Sequence, residues 1–430
     1  MSKKTKINLL TLGCSKNLVD SENLLGKIKG VDFEISHSID DTDIILINTC
    51  GFIKPAKEES IGVISEALEL KRRKKIKKVL VFGCLAERYR HELESQIKGV
   101  DFFFGLNQDK EIINYLTKDK KKEITGRREI LTPSHYAYIK ISEGCNHQCS
   151  FCAIPAIRGK YISKPIEAIV SEVKELVAQG VKEIIFIAQD TTYYGIDLYG
   201  KSKIAELMRK SASVPGVEWL RLMYTYPSNF PFDLLDVMLE YPNICRYIDM
   251  PLQHISDDIL QSMKRGMGRK KTIELVEIIR KKIPDITLRS TFIVGYPNES
   301  DQHFNELHDF IKQTKLDRVG VFTYSHEEDT PSFELEDSVP EDVKLERQKN
   351  LMVTQSEISL KKNQKLIGKE IDVLIDEKKS ADEYIARTRA DAPDVDNAVI
   401  IKSNVELNTG AFVRVKVSSA SEYDLLAEYQ

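Results

Sequence analysis

The sequence predicts an α/β protein built from three parts: an N-terminal parallel α/β domain, a central partial (βα)6 barrel and a small C-terminal five-stranded β-barrel. The first two parts are predicted by apolar, strand-like runs that alternate with helical stretches over roughly the first 360 residues. The third is predicted by a change of pattern near residue 364, after which five short alternating runs follow one another. A chain of 430 residues is long enough for two to three domains.

The composition excludes two broad classes of protein. Apolar residues make up 42% of the chain and charged residues 30%, which is typical of a soluble globular protein and not of a disordered one. No apolar run reaches the length of a membrane span, and the run Ile7–Leu12 is too short for the core of a secretory signal. We therefore expect a cytoplasmic protein that has no membrane partner.

The N-terminal domain is expected over residues 1–118. Its candidate strands are Ile7–Leu12, Ile44–Ile47 and Val79–Phe82, and helical stretches such as Ser60–Leu70 lie between them. Because strand and helix alternate, the strands are expected to pair in parallel within one sheet. The polar stretch Asp119–Arg128 predicts a linker over residues 119–130.

The central domain is expected over residues 131–361, where strands and helices such as Ile166–Ala178 and Lys271–Lys282 alternate again. Six βα units predict a partial barrel rather than the complete barrel of eight. Pro340 is expected to open a long charged helix that leads out of this domain. The candidate strands are Tyr136–Ile141, Glu183–Ala188, Trp219–Tyr224, Tyr247–Met250, Leu288–Val294 and Arg318–Thr323.

The C-terminal barrel is expected over residues 364–430. Five strands in so short a segment are typical of a small closed barrel. The candidate strands are Ile371–Ile375, Tyr384–Thr388, Val399–Lys402, Phe412–Val417 and Tyr423–Leu426.

Three of the seven cysteines, Cys145, Cys149 and Cys152, are spaced as C-x3-C-x2-C directly after the first barrel strand. Thiolates are the usual ligands of iron–sulfur clusters, and this spacing lets one loop surround one cluster. Three ligands rather than four leave one iron open to bind another molecule. A zinc site with His147 as the fourth ligand is the alternative, although zinc sites more often combine two C-x2-C pairs.

Another three cysteines, Cys14, Cys50 and Cys84, each follow an apolar run of the N-terminal domain. If these runs are parallel strands, the three thiols emerge at the same carboxyl edge of one sheet, where α/β folds place their ligands. A single cysteine in such a place is usually an inert buried residue, but three at matched positions favour a second cluster with an open iron. Cys245 lacks such a pattern and is expected in the core.

The C-x3-C-x2-C loop, with Phe151 before its last cysteine, resembles that of the radical S-adenosylmethionine superfamily. The resemblance implies a [4Fe–4S] cluster whose open iron binds S-adenosylmethionine at the carboxyl ends of the barrel strands. Stretches after the second and fifth barrel strands also resemble the family's cofactor-binding positions. The cofactor-binding residues implied are Phe151, Gln189, Asp190, Ile293, Gly295 and Glu299.

Over essentially the whole chain, the three parts together resemble the methylthiotransferase family, whose C-terminal barrel is a TRAM domain. The stretches Ile157–Lys164 and Met250–His254 support this, and within the first of them Arg158 could serve the substrate, the space between the clusters or a structural salt bridge. The resemblance implies a transferase with two [4Fe–4S] clusters. It uses one S-adenosylmethionine as the methyl donor and a second as the radical source. It also implies an electron donor and a sulfur source as partners.

The family has two main substrate classes: an adenosine next to the anticodon of transfer RNA, and an aspartate β-carbon in protein twelve of the small ribosomal subunit, on the ribosome or free. From Gln364 onward, nine basic and thirteen acidic residues give a net charge of −4. An RNA-binding barrel should be basic, whereas an acidic barrel fits a basic protein. The stretch Arg387–Asp396 also resembles the ribosomal-protein branch. Together these favour the ribosomal protein, with the TRAM-like barrel in substrate recognition.

Three other functions remain open at this point. A transfer-RNA methylthiotransferase would carry a basic face on the barrel. A non-catalytic iron–sulfur carrier would have closed clusters and would not cleave S-adenosylmethionine. A structural zinc protein would contain no iron.

Overall fold

The computed structural model describes residues 4–31, 33–118 and 126–429. It confirms the predicted fold class: a parallel α/β part, a partial barrel of parallel strands and a small closed β-barrel follow one another along the chain. Within the described ranges, no helix is both long and apolar enough to cross a lipid bilayer.

The N-terminal part is one parallel sheet with helices on both faces. Its helices are α1 Ser15–Lys29, α2 Lys54–Arg72, α3 Cys84–Gln96 and α4 Asp109–Thr117. Its strands are β1 Lys6–Thr11, β2 Glu34–Ile35, β3 Ile44–Thr49, β4 Lys78–Gly83 and β5 Phe102–Phe103.

The strands pair in parallel in the order β2-β1-β3-β4-β5. The three predicted runs form the centre, and the two edge strands, of two residues each, were not predicted because they are too short to show a pattern. Successive side chains of a strand point to opposite faces. On β3, Leu46 therefore packs with Leu24 of α1, while Ile47 packs with Ile64 of α2.

The segment that leads into the central part packs against α1. Residues 119–125 of the predicted linker lie outside the described residues, but the end of the linker is packed rather than loose. The guanidinium of Arg128 pairs with the fully buried carboxylate of Glu22. A Cβ atom on Gly26 would lie 2.1 Å from the Arg127 carbonyl oxygen, so the absence of a side chain there allows the two segments to touch.

The central part contains eight strands and nine helices within the described ranges. The strands are β6 Tyr136–Lys140, β7 Ser142–Glu143, β8 Ile162–Ser163, β9 Glu183–Ile187, β10 Trp219–Leu222, β11 Tyr247–Asp249, β12 Thr287–Val294 and β13 Arg318–Thr323. The helices are α5 Ile154–Arg158, α6 Ile166–Ala178, α7 Ile196–Tyr199, α8 Ile204–Ala212, α9 Asp233–Glu240, α10 Asp257–Ser262, α11 Arg269–Lys282, α12 Asp301–Thr314 and α13 Glu341–Gln364.

Six parallel strands form the predicted partial barrel in the order β6-β9-β10-β11-β12-β13. The two halves meet between β10 and β11, where the bridge Leu220–Ile244 joins them. The predicted strand Trp219–Tyr224 ends two residues early at Leu222, because Tyr224 has a φ of +60° and so leaves the extended region. Strands β7 and β8 form a separate antiparallel pair that was not predicted.

Helix α13 begins after Pro340 as predicted, and its end reaches the C-terminal barrel, where Asn363 donates to the Ser421 carbonyl at 3.0 Å. The expectation that it simply leads out of the central part was incomplete. Leu351 is fully buried in the central core, and Gln355 donates to the Leu316 carbonyl at 3.2 Å. The helix is therefore part of the wall of the central part.

The C-terminal part is the predicted closed barrel of five strands. The strands are β14 Glu370–Lys378, β15 Glu383–Arg387, β16 Val399–Lys402, β17 Phe412–Ala420 and β18 Leu425–Glu428. They close in the order β14-β15-β16-β18-β17, and β14 pairs with β17. The last strand lies two residues later than predicted.

The stretch 387–396 lies where this barrel meets the central part. Arg387 pairs with Glu183 of β9 at 2.9 Å, and Arg318 of β13 pairs with Asp391 at 2.6 Å. The Asp396 carboxylate accepts a hydrogen bond of 2.6 Å from Tyr247 and is almost fully buried. With the charges of Arg387, Asp391 and Asp396 set aside, eight basic and eleven acidic residues remain from Gln364 onward, so the rest of the barrel is still acidic.

Candidate active site

The N-terminal triad, defined as Cys14, Cys50 and Cys84, lies at the carboxyl edge of the parallel sheet. Cys14 is the N-cap residue of α1, Cys50 directly follows β3, and Cys84 opens α3 directly after β4. Because β1, β3 and β4 are parallel neighbours, their carboxyl ends meet, as the sequence predicted.

Two residues fix the backbone between the strand ends. Gly13 has a φ of +88°, and a Cβ atom there would lie 2.7 Å from the Cβ of Cys50. Ser60 of α2 accepts a hydrogen bond of 3.1 Å from the Cys50 amide and donates one of 2.9 Å to its carbonyl. The glycine thus allows Cys14 and Cys50 to come close, and the serine holds Cys50 in place.

Asn17 joins the strand ends to the thiols. Its amide group donates to the carbonyls of Leu12 at 2.9 Å and Thr49 at 3.2 Å. Its side-chain oxygen accepts from the Cys84 thiol at 3.5 Å and from Arg158 at 2.6 Å. One buried side chain therefore sets the positions of two strand ends and one cysteine.

The central triad, defined as Cys145, Cys149 and Cys152, lies on one loop after β6 and β7. The Cys145 amide donates to the Gly159 carbonyl at 3.1 Å, and the Cys152 amide donates to the Cys149 carbonyl at 3.1 Å. Cys149 is buried, and its sulfur accepts a hydrogen bond of 3.3 Å from Arg265. The loop is therefore folded back so that the three cysteines share one small region.

His147 is hydrogen-bonded through one of its two ring nitrogens. Its Nε2 lies 2.6 Å from the Asp190 carboxylate, and its ring stacks on Tyr226 with a centroid separation of 3.7 Å. Histidines that bind a metal often make such a contact through their second nitrogen, so the contact is compatible with either function. Zinc is disfavoured instead because, among the described residues, His147 and the cysteines are not gathered closely enough to hold one ion.

Burial makes most of these thiols weak acids. It raises the pKa of Cys84 to about 12, of Cys145 to about 11 and of Cys152 to about 12. Burial also raises the pKa of Cys50, and the neighbouring Cys14 adds to the rise, which places these two thiols within electrostatic reach of each other. Without a bound cation Cys50, Cys84, Cys145 and Cys152 stay protonated near neutral pH, whereas a metal would displace those protons.

The donor set fits a cluster better than a single ion. Among the described residues, no group of three or more His, Cys, Asp and Glu side chains is gathered closely enough to hold one metal ion. In a four-iron cluster each thiolate binds a different iron, so the sulfurs need not converge on one point. Two triads of thiols, each with one buried cysteine that has an arginine at its sulfur, are compatible with that arrangement.

Two of the predicted cofactor-binding residues meet on one apolar surface. Phe151 of the central loop and Ile293 of β12 both pack on the cluster that contains Met263 and Tyr296. Gln189 follows β9 and is partly exposed. Phe151 thus belongs to the loop of the central triad, whereas Gln189 and Ile293 lie at the carboxyl ends of β9 and β12.

Asp190 is buried and engaged by its own loop. Its carboxylate accepts from His147 and from the amides of Thr192 at 2.8 Å and Tyr193 at 3.2 Å. The Thr192 hydroxyl also donates to it at 2.5 Å, so the carboxylate is already held by four donors, and the residue orients His147 and the turn after β9.

Gly295 and Glu299 have contacts that the sequence did not predict. A Cβ atom on Gly295 would lie 2.2 Å from the Cγ of Lys344 in α13, so in this structure the glycine makes room for a side chain of the same protein. Glu299 is buried, pairs with Arg347 at 2.8 Å and accepts from the Gly295 amide at 3.0 Å. Both residues fix the loop after β12 to α13.

Arg158 links the N-terminal triad to β7, just before the central triad, so the structure shows two of the roles that the sequence left open for it: a structural ion pair and a place between the cysteine-bearing regions. Its guanidinium donates to the Cys84 sulfur at 3.4 Å and to Asn17, both in the N-terminal part. It also pairs with Glu143 of β7 at 2.9 Å, two residues before Cys145. The side chain is almost fully buried, so it is a rigid contact between the two cysteine-bearing regions.

Sequence reasoning assigned no role to four further side chains that contact the triads or their neighbours. The ammonium of Lys16 lies 2.9 Å from the ring centroid of Tyr224, and Arg265 stacks over Tyr226 at 4.3 Å. The Tyr226 hydroxyl is 3.7 Å from the Cys149 sulfur. The closeness of Lys16 to a cysteine was visible in the sequence, but its burial against Tyr224 depends on how two distant segments pack.

Replacing Gly13 with alanine is expected to lower the free energy of unfolding by at least about 1–2 kcal/mol, because a side chain at positive φ is strained. The collision with Cys50 adds to that cost. Urea denaturation under reducing conditions measures the change.

Gly62 provides the matched control for this variant, because a Cβ atom there meets nothing within 4 Å on the exposed face of α2. Gly62→Ala should raise stability by about 0.5–1 kcal/mol. Equal effects of the two alanines would show that the strand ends do not meet as described.

Three family descriptions match successive parts of the chain. Residues 6–105 match the Uncharacterized protein family UPF0004, residues 139–311 match the Radical SAM superfamily, and residues 367–429 match the TRAM domain. Together they follow the same order as the three parts of the fold.

Two solved structures share the fold over most of this chain. A radical S-adenosylmethionine methyltransferase, TsrM, from Kitasatospora setae superposes with a TM-score of 0.55 at 14% identity, and the match covers 77% of each chain. The cobalamin-dependent S-adenosylmethionine radical enzyme OxsB superposes with a TM-score of 0.52 at 12% identity over 82% of this chain and 56% of that chain.

Similar proteins match from end to end. The ribosomal protein uS12 methylthiotransferase RimO of Cytophaga hutchinsonii is 47% identical over 99% of this chain and 98% of its own. The proteins of the same name from Christiangramia forsetii and Desulforamulus reducens are 48% and 45% identical, over 99% and 98% of this chain and 94% and 99% of their own. With this identity over the full length, the chain belongs to the ribosomal protein uS12 methylthiotransferase family, within the radical SAM superfamily.

Proposed function

We propose that this enzyme adds a methylthio group to the β-carbon of an aspartate in uS12, with one S-adenosylmethionine as methyl donor and a second as radical source. The aspartate β-hydrogen is too weakly acidic for a side-chain base, so this step needs a cofactor. The [4Fe–4S] clusters and S-adenosylmethionine would supply the radical and the sulfur chemistry that the side chains lack.

The observation that carries the proposal is the link between two separate cysteine triads. Arg158 contacts the Cys84 sulfur on one side and Glu143, next to the central triad, on the other. A carrier of electrons needs its clusters only within tunnelling distance, but transfer of a group between two centres also requires them to be fixed in orientation relative to each other. The names of the relatives agree with this reaction and with uS12 as the substrate.

We assign the side chains as follows. The N-terminal triad would ligate the sulfur-donating cluster, and the central triad would ligate the cluster that binds S-adenosylmethionine. Gly295 and Glu299 would act indirectly by fixing the loop after β12, and with it the end of the strand that carries Ile293, to α13. The residues proposed to line the cofactor site are Phe151, Gln189, Asp190 and Ile293.

The proposed reaction also requires partners and a location. An electron donor must reduce the central cluster, and a sulfur source must replace the sulfur that each turnover removes. Because uS12 is a protein of the small ribosomal subunit, we place the reaction in the cytoplasm, on free uS12 or on the ribosome.

Anaerobic reconstitution with iron and sulfide tests the two clusters. The wild-type chain should bind about eight irons if both clusters are four-iron cubanes. Cys50→Ala should reduce this to about four, because the N-terminal triad then lacks a ligand. The matched control is Cys245→Ala, since Cys245 is fully buried in an apolar cluster away from both triads. Iron that stays near eight in Cys50→Ala would contradict the second cluster.

Competition between substrates tests the acceptor. The reconstituted enzyme is given S-adenosylmethionine, a reductant and either uS12 or transfer RNA, and the products are analysed by mass spectrometry. We expect a methylthio mass gain on uS12 alone. A gain on the RNA and none on uS12 would favour the transfer-RNA enzyme. S-adenosylmethionine that stays intact with either substrate would favour a cluster carrier.

A further inference from the structure

Buried basic side chains are almost all paired in this protein. In the ranges that the structure describes, six of the eight form ion pairs with carboxylates, and the exceptions are Lys16 and Arg265. Arg265 donates to the Cys149 sulfur and to the Pro251 carbonyl at 2.6 Å. Lys16, only 5% exposed, has the Tyr224 ring as its contact.

An aromatic ring attracts a cation but does not neutralise it. The attraction is a fraction of what a paired carboxylate provides, so a buried ammonium without an anion is costly for the folded protein. Lys140 shows the ordinary solution at the same junction, where it pairs with both Asp20 and Glu143. Lys16 therefore differs from a lysine whose task is to hold the parts together.

The position of Tyr224 is also unusual. Its φ of +60° is rare for a bulky residue and strained. Its amide donates to the buried Asp249 carboxylate at 3.1 Å, and its carbonyl accepts from the Thr191 amide at 3.0 Å. The surrounding structure thus enforces a strained backbone that places the ring under Lys16.

Lys16 is linked to both triads through short stretches of chain. It is two residues after Cys14, in the first turn of α1. Its partner Tyr224 is followed two residues later by Tyr226, whose hydroxyl is 3.7 Å from the Cys149 sulfur. The Lys16–Tyr224 contact therefore joins a segment next to the N-terminal triad to a segment that touches the central triad.

We propose that Lys16 binds a carboxylate in this region, and that in the reaction this is the carboxylate of the acceptor aspartate. The inference rests on the proposed function. The β-carbon of aspartate is bonded directly to its carboxylate carbon, so an ammonium that holds the carboxylate also positions the reacting carbon. The methionyl carboxylate of S-adenosylmethionine has the same chemistry, and the experiment separates these two sources.

The test is a binding cycle on the anaerobically reconstituted enzyme. Wild-type and Lys16→Met enzyme are each titrated with uS12 and with a uS12 variant that carries asparagine in place of the acceptor aspartate. The wild type should prefer the aspartate form by roughly 10- to 100-fold, as for a hydrogen bond to a charged group. Lys16→Met should bind both forms alike, and Lys16→Arg should restore part of the preference. Lys29→Met is the control, because Lys29 is exposed on the same helix and pairs with Glu129.

Iron content and the two KM values show which step the substitution affects. In Lys16→Met the iron content should be unchanged, the KM for uS12 should rise, and the KM for S-adenosylmethionine should stay as in the wild type.

An undiminished preference for aspartate in Lys16→Met would overturn the inference, as would loss of iron. A rise confined to the KM for S-adenosylmethionine would assign Lys16 to the cofactor carboxylate instead. If the wild-type enzyme does not modify uS12, the proposed function falls, and the assignment to an acceptor aspartate falls with it. If the wild-type enzyme modifies uS12 but Lys16→Met keeps its preference for the aspartate form, the inference alone falls.

Discussion

Replacing Glu183 with glutamine is expected to lower the free energy of unfolding by about 3–5 kcal/mol, the usual effect of leaving a buried charge without its partner. Glu183 is fully buried between two guanidinium groups. Arg221 pairs with one of its oxygens at 2.8 Å, and Arg387 pairs with the other at 2.9 Å. Glutamine keeps the shape of the side chain but removes the negative charge that offsets the two buried guanidinium groups.

Urea denaturation followed by far-UV circular dichroism measures the loss. The control is Asp372→Asn, because the ion pair of Asp372 with Arg414 is exposed on the C-terminal barrel and should matter little. Since Arg221 belongs to the central part and Arg387 to the barrel, the Glu183 variant should also loosen the contact between them. A midpoint equal to that of the control would show that Glu183 is not the common partner of the two arginines.

Replacing Arg158 with methionine is expected to cost about 3 kcal/mol of stability, because Glu143 and Asp20 lose one of their two buried cations. Burial alone would raise the pKa of Glu143, but Lys140 and Arg158 outweigh it and lower that pKa to about 2. In the variant only Lys140 offsets the burial, so the pKa of Glu143 should rise from this value and the carboxylate should lose part of its stabilisation. Denaturation of the reduced apoprotein measures the loss.

The lysine variant separates charge from shape. Arg158→Lys restores the positive charge, but a single ammonium cannot reach Glu143, Asn17 and the Cys84 sulfur together, so it should recover only part of the stability. Arg209→Met is the matched control, because the pair of Arg209 with Glu240 is exposed. Stability in Arg158→Met equal to that control would contradict a structural link between the triads.

The sequence was sufficient to predict the order of the parts and the edge at which the N-terminal triad lies. Both depend on local patterns, since apolar runs mark the strands and the chain order of strands and helices makes them parallel. The edge strands β2 and β5 were missed because two residues show no periodicity. The ligand role of the six cysteines and the binding of the cofactor by Phe151 and its companions stay predictions.

The contacts that the sequence did not predict join residues that lie far apart in the chain. Gly295 meets Lys344, and Glu299 meets Arg347, because α13 folds back on the central part. The stretch 387–396 was interpreted as a sign of the substrate class, whereas its charges also hold the barrel on β9 and β13. Such pairings depend on the packing of whole elements, which periodicity along the chain does not encode.

The closure of the C-terminal barrel restricts how it can recognise a polypeptide. Each of its strands already has two hydrogen-bonded neighbours, since β14 pairs with both β15 and β17 and the ring continues through β16 and β18. A bound peptide therefore cannot extend the sheet as an added strand. Recognition there must depend on side chains and loops, so substitutions on the outer face of the barrel should change selectivity while the ring of strands stays intact.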